Sequence, residues 1–126
     1  MKKIPVTKPY FTEEEIELIK DSLDSGWVAQ GPKVAEFEKM IAAHEGIAQG
    51  VATTSATTAL HLAMVAHGLT TGMDAIVPAF TFVATENAVV TTGATPILVD
   101  IYQETFNINI EDLKNIIATK YDKKAR

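Results

Sequence analysis

A chain of 126 residues has about the length of one average domain, and 47% hydrophobic with 21% charged residues is the composition of a folded globular protein. The 16 acidic residues outnumber the 11 basic ones, and the net charge of −5 argues against nucleic acid as the main partner, because phosphate backbones are bound by clustered lysine and arginine. Since cysteine is absent, disulfides and thiolate chemistry are excluded, and the three scattered histidines disfavour a metal site. No run approaches the roughly 18 apolar residues of a membrane span, and the first residues lack the apolar core of a secretion signal, so we expect no membrane association and a cytoplasmic location.

Two helices are predicted in the first part of the chain. The run Thr12-Glu-Glu-Glu15 is a capping box, in which a hydroxyl and a carboxylate three residues apart can each satisfy a backbone amide. Gly26 is a typical end for the helix that follows. The second helix is predicted from Pro32, whose missing N–H is not needed in a first turn, to Gly46. We therefore expect residues 1–46 to form an N-terminal helical segment.

Beyond Gly46 the predicted strands and helices alternate. Strands are predicted over 47–53, 75–77 and 96–100, and helices over 56–67, 82–91 and 110–118. Alternation of this kind favours an α/β fold with a mostly parallel sheet and helices on both faces. Apolar residues surround the helix 56–67 almost completely, so we expect it to be buried on several sides. Three strands and three short helices leave apolar surface open, which predicts that 47–126 is an incomplete domain and that its charged end, 120–126, leads into another strand.

The segment 51–60 is the most informative for chemistry. A predicted strand runs into a predicted helix through hydroxyl and small side chains at 53–58. The first amides of a helix have no internal partner, and together with the helix dipole they attract anions. One interpretation is a phosphate-binding turn at the carboxyl end of a parallel strand, and the other, commoner one is an ordinary serine or threonine cap. His61 and His67, on the same helix, are interpreted as core or boundary residues.

Two aromatic segments are further candidates. Phe82 follows a predicted strand, so it should lie at the same sheet edge as the 53–58 turn, where its ring can stack on a flat cofactor. Packing in a core is the commoner role of phenylalanine. The loop 26–31 holds the single Trp27 between two glycines. An exposed tryptophan loop suggests a ligand or subunit contact, although tryptophan also closes the edges of cores.

A series of short motifs runs through the chain: Gly26-Trp27, Gly31-Pro32, Ser55-Ala-Thr57, Ala59-Leu-His61, Gly72-Met-Asp74, Ile76-Val-Pro78, Thr81-Phe-Val-Ala-Thr85, Gly93-Ala94, Val99-Asp100 and Thr105-Phe-Asn107. In this order they resemble the N-terminal part of the DegT/DnrJ/EryC1/StrS family of sugar aminotransferases. The resemblance covers almost all of the chain. It implies the N-terminal, truncated part of the large domain of a pyridoxal-phosphate-dependent transferase of fold type I, the aspartate aminotransferase fold. It also implies a homodimer with active sites at the subunit interface.

The resemblance implies roles for particular residues. The segment matching Ala56, Thr57 and Thr58 holds the phosphate of pyridoxal 5′-phosphate, and the aromatic residue matching Phe82 stacks on the pyridine ring. Near the sugar substrate lies the loop that matches Gly26, Trp27, Val28 and Ala29. The implied reaction moves an amino group from glutamate, or a similar donor, to a keto sugar that is usually nucleotide-linked.

No residue of this sequence is assigned a catalytic role. Family members are considerably longer, and the Schiff-base lysine belongs to a segment resembling Ser-Phe-x-x-x-Lys, which does not occur here. We therefore expect this chain alone not to transaminate. Two other interpretations stay open: a non-catalytic α/β binding or interaction module that retains the fold, and an unrelated α/β phosphate-binding domain.

Overall fold

The computed structural model describes residues 3–121, so the predicted lead into another strand falls mostly outside the described residues. The elements are α1 (Glu13–Asp24), α2 (Pro32–Glu45), α3 (Ala56–Ala66), β1 (Asp74–Pro78), α4 (Ala84–Val90), β2 (Thr95–Val99) and α5 (Ile110–Lys120). The chain divides into two compact units between Ala52 and Thr53. The assignment of 1–46 and 47–126 to separate domains stays a prediction.

Helices α1 and α2 of the first unit follow from their terminal residues. The Glu15 carboxylate accepts hydrogen bonds from the Thr12 backbone N–H at 2.6 Å and from the Thr12 hydroxyl at 2.5 Å. These bonds hold the pKa of Glu15 below its usual value because they favour the charged form, and the bond from the hydroxyl has the largest effect. Helix α2 begins at Pro32 and is capped by Gly46, whose φ of 68° is accessible to glycine without strain.

The strand predicted over 47–53 is wrong, because the structure places no strand there. The N–H of Ala52 donates to the Glu38 carboxylate of α2 at 2.8 Å. A Cβ atom added to Gly50 would lie 2.8 Å from the backbone carbonyl oxygen of Glu38, so the segment runs closely along α2. A helix side chain thus supplies the hydrogen bond that a neighbouring strand would otherwise provide.

The second unit contains a parallel two-stranded sheet. Strands β1 and β2 pair with Ile76 opposite Ile97, and α4 connects them, which confirms the predicted parallel βαβ unit. The buried residues Val77, Val89 and Ala94 come from β1, from α4 and from the position just before β2, and Met64 of α3 packs against them. This small core holds α3, α4 and the sheet together.

Helix α3 is confirmed, but its predicted burial on several sides is wrong for the part of the chain that the structure describes. The exposed fractions of Leu60, Leu62 and Val65 are 37%, 46% and 49%. Met64 is the side chain of α3 that packs on the core of the second unit. Within residues 3–121, little else covers the apolar surface of this helix.

Candidate functional site

The turn that opens α3 is a cap built from hydroxyl groups. Ser55 has extended backbone angles, and its Oγ accepts a hydrogen bond from the Thr58 N–H at 3.2 Å. The Thr58 hydroxyl lies 3.1 Å from the Ser55 hydroxyl and 3.2 Å from that of Thr54. The Thr53 hydroxyl donates to the Ser55 carbonyl at 2.9 Å. The cap interpretation of this segment is therefore correct.

The same turn leaves two amides for a ligand. Within residues 3–121, the backbone N–H groups of Ala56 and Thr57 have no hydrogen-bond acceptor, and neither has the Thr57 hydroxyl. Both residues are exposed, and the first turn of α3 carries no acidic side chain that would repel an anion. Because the cap uses Ser55 and Thr58, it fixes the helix start without consuming these donors. Cap and anion site are compatible in one turn.

Phe82 lies in the short connection between β1 and α4. Its backbone carbonyl accepts the N–H of Thr85 at 3.0 Å, which joins it to the start of the helix. Its side chain is 77% exposed, so within the described range the ring is not part of a core. A planar apolar surface is therefore available at the carboxyl end of β1.

A second aromatic group after the same strand was not anticipated from the sequence. The rings of Phe80 and Phe106 have their centroids 5.4 Å apart and are tilted by 31°. Phe106 has a φ of 58°, a left-handed conformation that is uncommon for a bulky residue. The two residues are far apart in the chain, so no local pattern signalled the pair.

The Trp27 loop belongs to the first unit. The indole N–H donates to the Gln30 carbonyl at 3.0 Å, and a Cβ atom added to Gly31 would lie 1.7 Å from the indole nitrogen. The indole therefore rests directly on Gly31, while 58% of the side chain stays exposed. A cleft of about 520 Å³ is lined by Trp27, Val28 and Ala29 together with Leu18, Ile19, Ser22, Leu23 and Lys33. Gly26, at the end of α1, adopts a φ of 71° and turns the chain into this loop.

One contact between helices escaped the sequence analysis. His61 Nδ1 lies 2.8 Å from the Thr91 hydroxyl, so this half-buried histidine bonds α3 to the end of α4. Among residues 3–121, no helix is long and apolar enough to cross a bilayer, and no three metal-ligating side chains cluster together.

Comparison with protein families gives a match over residues 9–125 to the DegT/DnrJ/EryC1/StrS aminotransferase family. The spore coat polysaccharide biosynthesis protein SpsC of Bacillus subtilis is 42% identical over 117 residues, which are 93% of this chain and 30% of SpsC. The GDP-perosamine synthase of Escherichia coli O157:H7 is 38% identical over 121 residues, which are 95% of this chain and 33% of that enzyme. The chain thus spans about a third of the length of these curated relatives.

Solved structures agree with the sequence comparison. The PLP form of the sugar aminotransferase Spr1654 from Streptococcus pneumoniae superimposes with a TM-score of 0.83 at 36% identity, over 90% of this chain and 29% of that one. Its PMP form gives the same TM-score and identity. An aminotransferase with the same family description, from Brucella abortus, has a TM-score of 0.80 at 33% identity over 88% of this chain and 30% of that one. These neighbours confirm the α/β fold class of the pyridoxal-phosphate-dependent aminotransferases.

Proposed function

Because this chain belongs to the DegT/DnrJ/EryC1/StrS aminotransferase family, we propose that it is the N-terminal part of a pyridoxal-phosphate-dependent sugar aminotransferase. The reaction proposed for the whole protein transfers an amino group from glutamate, or a similar donor, to a nucleotide-linked keto sugar. The name of the GDP-perosamine synthase relative supports a nucleotide-linked substrate. The observation that carries the proposal is the exposed start of α3, where the amides of Ala56 and Thr57 have no acceptor among residues 3–121.

The donors of this turn fit a phosphate group. We assign the phosphate to the amides of Ala56 and Thr57 and to the Thr57 hydroxyl, since these three donors have no other acceptor within residues 3–121. Thr58 contributes through its hydroxyl, because its amide is already bonded to Ser55. Hydrogen bonds to a charged acceptor are worth about 1.5–3 kcal/mol each, and the positive end of the helix dipole adds to them.

Phe82 is proposed to orient the cofactor ring. Its exposed phenyl face can cover one side of a pyridine ring and keep water from it. Bound pyridoxal phosphate supplies an electron sink to the reaction, whereas the protein supplies binding, orientation and proton transfer. Ala56, Thr57, Thr58 and Phe82 provide the first two of these. No residue of this chain is assigned to move a proton, so we propose that the chain alone does not turn over.

The loop from Gly26 to Ala29 is proposed to contact the sugar. Its indole is held in place by the hydrogen bond to the Gln30 carbonyl and by close packing against Gly31, which has no side chain. The cleft beside it combines apolar side chains with Lys33, a positive group suited to an anionic nucleotide. This arrangement supports a role in substrate binding that does not depend on the cofactor turn.

A homodimer in the cytoplasm is part of the same proposal. The apolar surface of α3, with Leu60, Leu62 and Val65 exposed in the part of the chain that is described, supports a need for further covering surfaces. We propose that a second copy of the chain supplies this cover and completes the active site.

The proposed site is tested by titrating the 126-residue chain with pyridoxal phosphate and following backbone amides by NMR. We expect the largest shifts at Ala56 and Thr57, and smaller ones with pyridoxal, which lacks the phosphate. If neither amide responds to any phosphate compound, the proposed site is refuted. The intact mass of the natural polypeptide separates the aminotransferase from the non-catalytic binding module, because the enzyme needs a lysine segment that this sequence lacks.

A further inference from the structure

We propose that His61 and Thr91 are positioning residues that align the phosphate-binding turn with Phe82, an inference that rests on the proposed function. His61 lies on α3, shortly after the turn, and Thr91 is the C-cap of α4, the helix that follows Phe82. The 2.8 Å contact between His61 Nδ1 and the Thr91 hydroxyl joins the two helices directly.

The Thr91 hydroxyl has a second partner besides His61. Its hydroxyl also lies 3.0 Å from the Ala88 carbonyl oxygen, to which it donates. The direction of the hydrogen bond to His61 Nδ1 is set by the tautomer of that ring. The Thr91 hydroxyl is thus fixed at both ends, which gives the link between the helices a defined geometry.

The apolar contacts around this bond do not define geometry to the same degree. Met64 packs against the buried cluster of Val77, Val89 and Ala94, and Ala88, next to Val89 in α4, is fully buried. His61 lies three residues before Met64, and Ala88 three residues before Thr91, so each pair shares one face of its helix. Apolar burial is non-directional and sets the spacing of two helices, whereas a hydrogen bond weakens steeply when it is misaligned. The His61–Thr91 bond therefore limits sliding and rotation of α4 on α3.

Helix α4 transmits this restraint to Phe82. The Phe82 carbonyl accepts the Thr85 N–H at 3.0 Å, and at the other end the Asn87 carbonyl accepts the Thr91 N–H at 2.9 Å. A short helix bonded from end to end moves as a rigid body, so displacement at Thr91 reaches Phe82. Pyridoxal phosphate must contact both the α3 turn and this ring, but inorganic phosphate contacts only the turn. Comparing the affinities for these two ligands therefore distinguishes a positioning role of the His61–Thr91 bond from a general contribution to the stability of the helix pair.

The test compares dissociation constants for pyridoxal phosphate and inorganic phosphate in the 126-residue chain, measured from amide shifts. For Thr91→Val we expect the dissociation constant of pyridoxal phosphate to rise about fivefold, equivalent to about 1 kcal/mol, while that of inorganic phosphate stays unchanged. Thr91→Ser, which keeps the hydroxyl, should retain both wild-type values. Thr119→Val is the matched control, because the Thr119 hydroxyl also donates to a helix carbonyl, that of Asn115 at 2.7 Å, and bonds to no other element in the described part of the chain. His61→Phe, which keeps a ring without the imidazole nitrogens, should reproduce the selective loss.

Three results would overturn the inference. Equal weakening of both ligands in Thr91→Val would mean that the bond only stabilises the helix pair. Unchanged binding of both ligands would mean that the bond positions nothing. If the wild-type chain bound neither ligand, the proposed phosphate site would fail as well, which distinguishes that failure from the first two.

Discussion

Replacing Thr57 by valine removes one hydroxyl from the proposed phosphate site and breaks no hydrogen bond within residues 3–121, because this hydroxyl has no partner there. Valine has nearly the shape and helix propensity of threonine, so the helix should keep its stability. The same change at Thr58 would be ambiguous, since its hydroxyl contacts those of Thr54 and Ser55.

The expected loss is that of one hydrogen bond to a charged acceptor. Such a bond is worth about 1.5–3 kcal/mol, which corresponds to an affinity for pyridoxal phosphate that is weaker by about 10- to 150-fold. The two free amides of Ala56 and Thr57 remain in the variant and preserve residual binding.

The assay is the NMR titration of the chain with pyridoxal phosphate, run in parallel with pyridoxal. Thr57→Ser restores the hydroxyl and should bind like the wild type, and pyridoxal should not distinguish the variants. An unchanged affinity of Thr57→Val for pyridoxal phosphate would remove this hydroxyl from the site.

Four further predictions concern the rest of the chain. Gly31→Ala places a Cβ atom 1.7 Å from the Trp27 indole nitrogen, so the indole must leave and the emission of this single tryptophan should shift to the red. Gly68→Ala strains the backbone at a φ of 82° but places its Cβ atom within 4 Å of nothing, so as a control for backbone strain it should leave the emission unchanged. An unshifted Gly31→Ala spectrum would contradict the packing described. Because hydrogen bonds from Thr12 lower the pKa of Glu15, the stabilisation of α1 by this group is complete above the ordinary glutamate pKa and is lost as the pH falls through the lowered value. Circular dichroism should show helix loss in that acidic range, and a Glu15→Gln chain with an identical pH profile would refute the assignment. A glutamate-dependent assay of the chain alone should give no turnover, and rates in the usual enzyme range of about 1–10³ s⁻¹ would show that the proton-transferring group is present after all. Light scattering should reveal self-association of the chain, because many apolar side chains are exposed. A stable monomer would contradict this prediction.

The helices were predictable because their signals are local. Thr12, Pro32 and Gly46 mark helix ends through their own side chains or backbone freedom, and the structure confirms these ends within a residue or two. Strands β1 and β2 were equally clear, since Pro78 and Asp100 lie at the ends of short apolar runs. In each case the deciding interaction lies within a few residues of the pattern.

The errors and omissions involve distant partners. Residues 47–53 have the composition of a strand, but the amide of Ala52 is bonded by Glu38, which no local pattern reveals. The apolar composition of α3 predicted a buried helix, but composition does not identify the surfaces that would cover it. His61 looked like a boundary residue because its partner, Thr91, lies on another helix. The 53–58 turn was recognisable as a cap or an anion site, and the free amides show that one does not exclude the other.

The two-stranded sheet has a consequence for how firmly Phe82, which follows β1, is held. Strands β1 and β2 pair with each other, so within the described residues each has an outer edge whose backbone groups face no neighbouring strand. An isolated pair of strands is marginally stable, and an open edge readily accepts another strand. Strand addition at either flank would stiffen β1, and with it the connection that carries Phe82, so the position of this ring should be better defined when a further strand is paired to the sheet.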